Sequence, residues 1–195
     1  MIVGISGNIG SGKSTVGGII RECGYFVLDA DKICHELYEK GTDVYSFIVN
    51  LFGDSILNEN LSINRKALGS LMFNDESKKE ELEKVVHYAI LNELKARSNS
   101  MDDSLIFWEV PLLFEAGFDK EVDRVIYVTS DMDTMISRVK ERDTLSEDKI
   151  KERLRYQKNW MDNLREEDFL IINNGSLDDL KNRITFILEQ INHCL

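Results

Sequence analysis

The residues best suited to chemistry lie near the amino end, in Gly7-Asn8-Ile9-Gly10-Ser11-Gly12-Lys13-Ser14. This stretch fits the phosphate-binding pattern G-x-x-x-x-G-K-[ST] at every defined position. The apolar run Ile2-Val3-Gly4-Ile5 precedes it as a predicted strand, and a predicted helix from Thr15 to Glu22 follows it. Glycines let successive backbone N–H groups point into one concavity, and the helix adds the positive end of its dipole. The sequence therefore predicts a loop that binds the phosphates of a nucleoside triphosphate.

The residues of this loop have separate predicted roles. Lys13 is expected to reach the β- and γ-phosphates, and the Ser14 hydroxyl is expected to bind Mg²⁺. Asn8 belongs to a residue type that tolerates positive φ inside such a loop. The predicted nucleotide-binding residues of the loop are Asn8, Ile9, Gly10, Ser11, Gly12, Lys13, Ser14 and Thr15.

Two carboxylates follow the second predicted strand. Tyr25-Phe26-Val27-Leu28 stops at Asp29-Ala30-Asp31-Lys32, and α/β sheets bind ligands at the carboxyl ends of their strands. Asp is also favoured at helix N-caps, so a turn with a capping Asp is the structural alternative. We favour a catalytic or metal-binding role for Asp31, because the neighbouring predicted strand ends in the phosphate loop.

A basic segment interrupts an otherwise acidic chain. The chain has a net charge of −11, yet residues 138–158 hold eight Lys or Arg against five Asp or Glu. One interpretation is a solvated helical hairpin with its charges in water. The other is a mobile lid whose arginines close over the transferring phosphoryl group.

The order of the elements predicts an α/β fold, in which three layers (α/β/α) surround a five-stranded parallel sheet. Further strands are expected at 104–110, 122–128 and 169–172, and capping pairs at Ser130 with Asp133 and at Ser176 with Asp179. The predicted core is 1–32, 99–139 and 159–195. A helical, acceptor-binding insertion is expected at 33–98 and a helical lid at 140–158.

Composition limits the possible partners and the location. The negative charge argues against a nucleic-acid backbone or an anionic membrane as the main partner. No apolar run approaches the length that spans a membrane. Cys23, Cys34 and Cys194 form no C-x-x-C motif, as expected of reduced thiols. We therefore expect a cytoplasmic protein with small-molecule ligands.

The loop alone permits a kinase, a GTPase or an ATPase. The GTPase motifs D-x-x-G and [NT]-K-x-D are absent, as is a long apolar strand ending in Asp-Glu. The loop also resembles that of deoxynucleoside kinases, which have Glu-Arg-Ser or Asp-Arg-Ser where this chain has Glu109-Val110-Pro111. A small kinase is therefore favoured.

Almost the whole chain resembles the dephospho-CoA kinase family, whose members phosphorylate the ribose 3′-hydroxyl in the last step of coenzyme A synthesis. Besides the loop, the matching segments are Asp29-Ala30-Asp31-Lys32-Ile33, Ser62 to Leu68, Val110 to Glu115, Arg142-Asp143 with Leu145 to Glu147, Arg153 to Gln157 and Asn173 to Ser176. The chain departs from the family pattern at Asn8, Tyr88, Glu109, Lys158 and Ile172.

The resemblance implies an alcohol phosphotransferase that uses ATP and Mg²⁺. Asp31 would accept the hydroxyl proton or orient the hydroxyl through Mg²⁺, and Arg142 would stabilise charge on the phosphoryl group. Arg138 and Asn173 would lie near the adenine of ATP. The residues implied to bind dephospho-CoA are Asp31, Lys32, Arg65, His87, Leu112, Leu113 and Phe114.

Two alternatives stay open. One is a nucleoside or deoxynucleoside kinase, and the other is a nucleotide-binding sensor that catalyses poorly. Tyr88 and Ile172 are the departures that keep the sensor among the alternatives.

Overall fold

The computed structural model describes residues 1–143, 145–157 and 162–193. Thr144 and Lys158 of the predicted lid, residues 159–161 and 194–195 of the predicted core, and with them Cys194, lie outside the described residues. The chain forms two compact units, one made of Met1–Asp29 with Asp102–Leu195 and the other of Ala30–Met101. The assignment of an acceptor-binding insertion and a lid stays a prediction.

The first unit contains a five-stranded parallel sheet, which confirms the predicted fold class. Its strands, in the spatial order β2-β3-β1-β4-β5, are β1 (Ile2–Gly7), β2 (Phe26–Asp29), β3 (Ile106–Glu109), β4 (Arg124–Thr129) and β5 (Phe169–Ile172). The chain leaves β1 toward β2 on one side and leaves β3 toward β4 on the other. The carboxyl ends of β1 and β3 therefore form the switch point at which such sheets bind ligands.

The described residues form eight α-helices, four in each unit. They are α1 (Lys13–Glu22), α2 (Ala30–Leu37), α3 (Asp43–Phe52), α4 (Arg65–Asn74), α5 (Glu76–Asn99), α6 (Met132–Arg142), α7 (Glu147–Tyr156) and α8 (Leu177–Asn192), of which α2–α5 belong to the second unit. None of the helices in the described ranges is long and apolar enough to cross a bilayer.

One face of the sheet is buried beneath α1 and α8. Alternate strand residues such as Val3, Ile5 and Phe107 pack with Ile20 of α1 and Ile187 of α8, and each of these five has no exposed surface. Because side chains of a strand alternate between its two faces, this spacing fixes which residues of each strand meet the helices. The packing holds β1, and therefore the start of the phosphate loop, in place.

The two predicted capping pairs have different outcomes. Ser176 and Asp179 form a reciprocal capping box at α8, as predicted. The pairing of Ser130 with Asp133 was wrong, since Asp131 caps α6 by accepting from the Thr134 N–H. Ser130 is buried and donates instead to the backbone oxygen of Asn173 and to Asn174 Oδ1.

The second unit is a helical bundle built around α5. The buried face of α5 repeats every four residues, at Leu82, Val86, Ile90 and Leu94. Caps define the neighbouring helices, because side chains accept backbone N–H bonds at the starts of α3, α4 and α5. The predicted helical block is therefore confirmed as helical.

Candidate active site

The phosphate loop connects β1 to α1 and depends on glycine at both ends. Gly12 precedes α1 with φ at 100°, and a Cβ there would lie 2.5 Å from Asn173 Nδ2. A Cβ on Gly7 would lie 1.9 Å from the Val128 backbone oxygen. Any side chain at either position would push the loop away from β4 and β5, so the motif glycines are a steric requirement of this packing.

The amino end of α1 is suited to an anion. Its first turn contains no acidic residue, and no side chain among the described residues caps it. The first N–H groups of a helix lack intrahelical acceptors, and the helix dipole makes this end positive. Backbone N–H groups at a helix start of this kind bind phosphate oxygens.

Lys13 places its ammonium group over the same loop. Its Nζ donates to the Gly7 oxygen at 2.8 Å and to the Asn8 oxygen at 2.9 Å. The positive charge is thereby held at the loop by backbone carbonyls.

Arg138 and Asn173, both predicted to lie near adenine, contact the loop through one shared acceptor. The Ser11 backbone oxygen accepts from Asn173 Nδ2 at 2.8 Å and from Arg138 NH1 at 3.4 Å. Asn173 is buried, and its own backbone oxygen accepts from Ser130 Oγ. The structure brings both residues to the phosphate loop, and their contact with adenine stays a prediction.

Arg142 ends α6 in an ion pair with its neighbour Asp143. Two of its nitrogens donate to the Asp143 carboxylate, at 3.2 Å and 2.8 Å. This pairing raises the pKa of Arg142 and lowers the pKa of Asp143. The side chain of Arg142 is 64% exposed, and an exposed ion pair contributes little net free energy. Arg142 can therefore exchange Asp143 for a phosphate at small cost.

Asn8 makes contacts through its side chain as well as through the backbone oxygen that accepts from Lys13. Its tolerance of positive φ is not used here, because Leu61 is the one non-glycine residue with positive φ in the described ranges. The Asn8 side chain instead accepts from Thr129 Oγ1 and donates to Gln157 Oε1. The sequence did not identify Gln157 as a site residue, although Gln157 is the last residue of the family-like segment Arg153 to Gln157.

Glu109 is a buried carboxylate at the switch point, and sequence reasoning noted it only as a departure. It ends β3, is 5% exposed, and pairs with Arg21 NH2 at 3.5 Å. Arg21 also donates to the Val27 oxygen at 3.3 Å. A Cβ on Gly17 would lie 2.6 Å from Glu109 Oε2, so the carboxylate rests against α1 at a position that has no side chain.

This contact predicts opposite effects for two adjacent glycines of α1. Gly17→Ala forces Glu109 away and lowers the free energy of unfolding by about 1–3 kcal/mol. Gly18→Ala is the matched control, since a Cβ there meets nothing within 4 Å, and it raises stability by up to about 1 kcal/mol through helix propensity. Urea denaturation of the two variants checks this, and equal stabilities would show that Gly17 does not accommodate Glu109.

In the second unit, Asp31 and Lys32 lie exposed in the first turn of α2. Burial raises the pKa of the nearby Cys34 thiol, with a further increase from the charge of Asp31 and an opposing effect of Arg65. A raised pKa lowers the fraction of the thiol that is ionised at neutral pH, which disfavours Cys34 as a nucleophile. His87 on α5 is half-buried, and this burial lowers its pKa.

A cavity of about 250 Å³ lies within the second unit. Its lining residues are His35, Tyr38, Glu39, Lys40, Ser62, Ile63 and Arg65. The Arg65 guanidinium lies 5.5 Å from the centre of the Tyr38 ring, a cation–π contact that orients it. The cavity therefore combines cationic groups with aromatic and aliphatic surface.

The three residues predicted to contact the acceptor, Leu112, Leu113 and Phe114, differ in their exposure. Leu112 is 47% exposed, whereas Leu113 is completely buried and Phe114 nearly so. The Phe114 ring packs 5.9 Å from that of Tyr127. Two of the three side chains therefore belong to the core of the first unit in this structure, and the substrate contact of all three stays a prediction.

The parallel sheet, the glycine-shaped loop and the lysine held at it define a class of protein: a P-loop nucleotide-binding protein. The family model described as dephospho-CoA kinase matches residues 1–179. The chain therefore belongs to the dephospho-CoA kinase family.

Individual proteins agree with this assignment. The chain is 36% identical over 191 residues to a dephospho-CoA kinase from Fusobacterium nucleatum, covering 98% of both chains. A dephospho-CoA kinase from Aquifex aeolicus is 36% identical over 190 residues, covering 97% of this chain and 96% of its own. The solved structure of dephospho-CoA kinase from Campylobacter jejuni matches with a TM-score of 0.72 at 28% identity, covering 97% of this chain and 96% of its own.

Proposed function

We propose that this chain transfers the γ-phosphoryl group of ATP to the ribose 3′-hydroxyl of dephospho-CoA and so forms coenzyme A. Membership of the family over nearly the whole chain carries this proposal. The loop supports it independently, because it offers backbone N–H groups and the Lys13 ammonium to a polyphosphate. ATP and dephospho-CoA are small intracellular metabolites, so the proposal includes a cytoplasmic location.

Asp31 is the proposed base. It accepts the proton of the attacking hydroxyl, or orients that hydroxyl, as the phosphoryl group moves. Two features support this role: the carboxylate is exposed, and it lies only two residues beyond the end of β2. Arg142 neutralises charge on the phosphoryl group after leaving Asp143.

Mg²⁺ is the proposed metal ion, with Ser14 as its protein ligand and Asp31 acting through water. The Ser14 side chain is exposed in the first turn of α1, and both residues offer the oxygen atoms that Mg²⁺ prefers. The chemistry fits an ion held largely by phosphates and water. When bound, it would neutralise charge on the phosphate oxygens.

Dephospho-CoA is proposed to bind the second unit through Lys32, Arg65 and His87, and through the 250 Å³ cavity. Arg65 and Lys40 of the cavity suit a phosphate group, whereas Tyr38 and Ile63 suit an apolar part of the acceptor. Leu112 offers further exposed apolar surface.

One acceptor screen tests this function. Purified protein with ATP and Mg²⁺ should form ADP and coenzyme A in equal amounts when dephospho-CoA is present, and little ADP with deoxynucleosides or nucleosides. ADP formed only with a deoxynucleoside would overturn the proposal in favour of a nucleoside kinase. ATP binding without turnover of any acceptor would instead identify a sensor.

A further inference from the structure

Gln157, which follows the last residue of α7, returns the chain to the phosphate loop. Its Oε1 accepts from the Ile9 N–H at 3.0 Å and from Asn8 Nδ2 at 3.4 Å, while its Nε2 donates to the Gly7 oxygen at 3.5 Å. A backbone N–H can only donate, so the acceptor end of the amide must face Ile9. One neutral side chain thus bonds to three consecutive loop residues.

Asn8 joins this contact to the end of β4, from which the chain enters α6. Its Oδ1 accepts from Thr129 Oγ1 at 3.0 Å, and Thr129 is the last residue of β4, just before α6. The segment 130–157 therefore leaves the sheet beside Asn8 and returns beside Asn8. Asn8 is 9% exposed, so its amide bonds are shielded from competing water.

Apolar packing reinforces the same attachment. The Ile9 side chain packs against a buried cluster formed by Ile136 and Val139 of α6 and Ile150 of α7. A Cβ on Gly10 would lie 2.5 Å from the Met135 oxygen, so α6 lies directly against the loop. The apolar face of the helix pair therefore packs on the loop.

We propose that Gln157 is a positioning residue that, through Ile9 and Asn8, fixes the α6–α7 pair and the phosphate loop as one body. Arg138 and Arg142 both lie on α6, so this attachment sets where their guanidinium groups stand relative to the bound polyphosphate. A displacement of about 1 Å can cost about 100-fold in rate. The proposal rests on the proposed phosphoryl transfer and adds to it the residue that holds the arginines in place.

The residue type fits this role. Glu at position 157 could not donate to the Gly7 oxygen and would place a carboxylate beside the polyphosphate. Lys at this position could not accept from Ile9, and Lys13 already donates to the Gly7 oxygen. A neutral amide satisfies both the donor and the acceptor without adding charge.

A double-mutant cycle tests the proposal with Gln157→Met, Asn8→Ala and the double variant. Methionine keeps the length of glutamine but has no amide. The Kd of a non-hydrolysable ATP analogue should rise about fivefold in each single variant and no more than about tenfold in the double variant, because both act on one attachment. In Gln157→Met, kcat with dephospho-CoA should fall about tenfold, and the unfolding midpoint should shift by less than about 4 °C.

Gln190→Met is the matched control, since Gln190 lies exposed on α8 and should change neither the Kd nor kcat. A Kd that rises about 25-fold in the double variant, as the product of two independent effects, would overturn the proposed attachment. A lower unfolding midpoint with an unchanged Kd and kcat would overturn it too, by showing a purely structural role. If the wild-type protein binds the analogue but leaves dephospho-CoA unmodified, the proposed function fails, and the Kd cycle alone decides on Gln157.

Discussion

Lys13→Met should lower kcat with ATP and dephospho-CoA by about 100- to 1,000-fold and raise the Kd of an ATP analogue by about tenfold. The Lys13 ammonium is held between the Gly7 and Asn8 oxygens, at the loop where phosphate oxygens bind. Methionine keeps the chain length but removes the charge and all three donors. Transition-state charge on the phosphoryl oxygens then loses the cation that is held at the loop. Steady-state kinetics and titration with the analogue measure the two effects.

Lys181→Met on the exposed surface of α8 is the control, and both constants should stay at their wild-type values. Lys13→Arg should not restore activity, because a planar guanidinium does not fit a position occupied by a compact ammonium bound to two carbonyls. Wild-type turnover in Lys13→Met would rule out the assigned role of the loop.

The parts of the fold that sequence predicted are those encoded by neighbouring residues. The phosphate loop was predictable because its glycines, lysine and serine act within one strand–loop–helix unit. The strand β5 was predicted with its observed bounds, since Phe169–Ile172 is a short apolar run ended by Asn173-Asn174-Gly175. The capping box of α8 needs only Ser176 and Asp179, which lie in one helical turn.

The contacts that sequence missed join residues far apart in the chain. Gln157 contacts Ile9 across 148 positions, and Arg21 pairs with Glu109 across 88. No pattern of neighbouring residues encodes such a contact, because the order of strands in the sheet decides which strand ends, and which segments following them, lie side by side. Ser130 failed as a cap for the same reason, since Asn173 and Asn174, which follow β5, are competing partners for its hydroxyl.

The candidate site likewise combines residues predicted from a local motif with residues that only the family resemblance indicated. Arg138 and Asn173 came only from the family resemblance, yet both meet at the Ser11 oxygen. The loop and these two residues belong to the first unit, whereas Asp31, Arg65 and His87 belong to the second.

Asp31→Asn should lower kcat at least about 100-fold while leaving the Kd of an ATP analogue within about twofold of wild type. Asparagine keeps the size of the side chain and serves as well as aspartate near a helix start, so α2 retains its stability. It cannot take up the proton of the attacking hydroxyl. The substitution therefore separates a base from a helix cap, the two interpretations that the sequence left open for this residue.

Asp43→Asn is the matched control, because Asp43 lies exposed in the first turn of α3 as Asp31 does in that of α2. Its kcat should equal that of the wild type. Equal losses of analogue affinity and turnover in Asp31→Asn, with a lower unfolding temperature, would make Asp31 a structural residue. A loss confined to turnover would assign the carboxylate at the start of α2 to the transfer step, as the proton acceptor or as the group that orients the hydroxyl, and the cavity lined by Arg65 stays the proposed site for the rest of the acceptor.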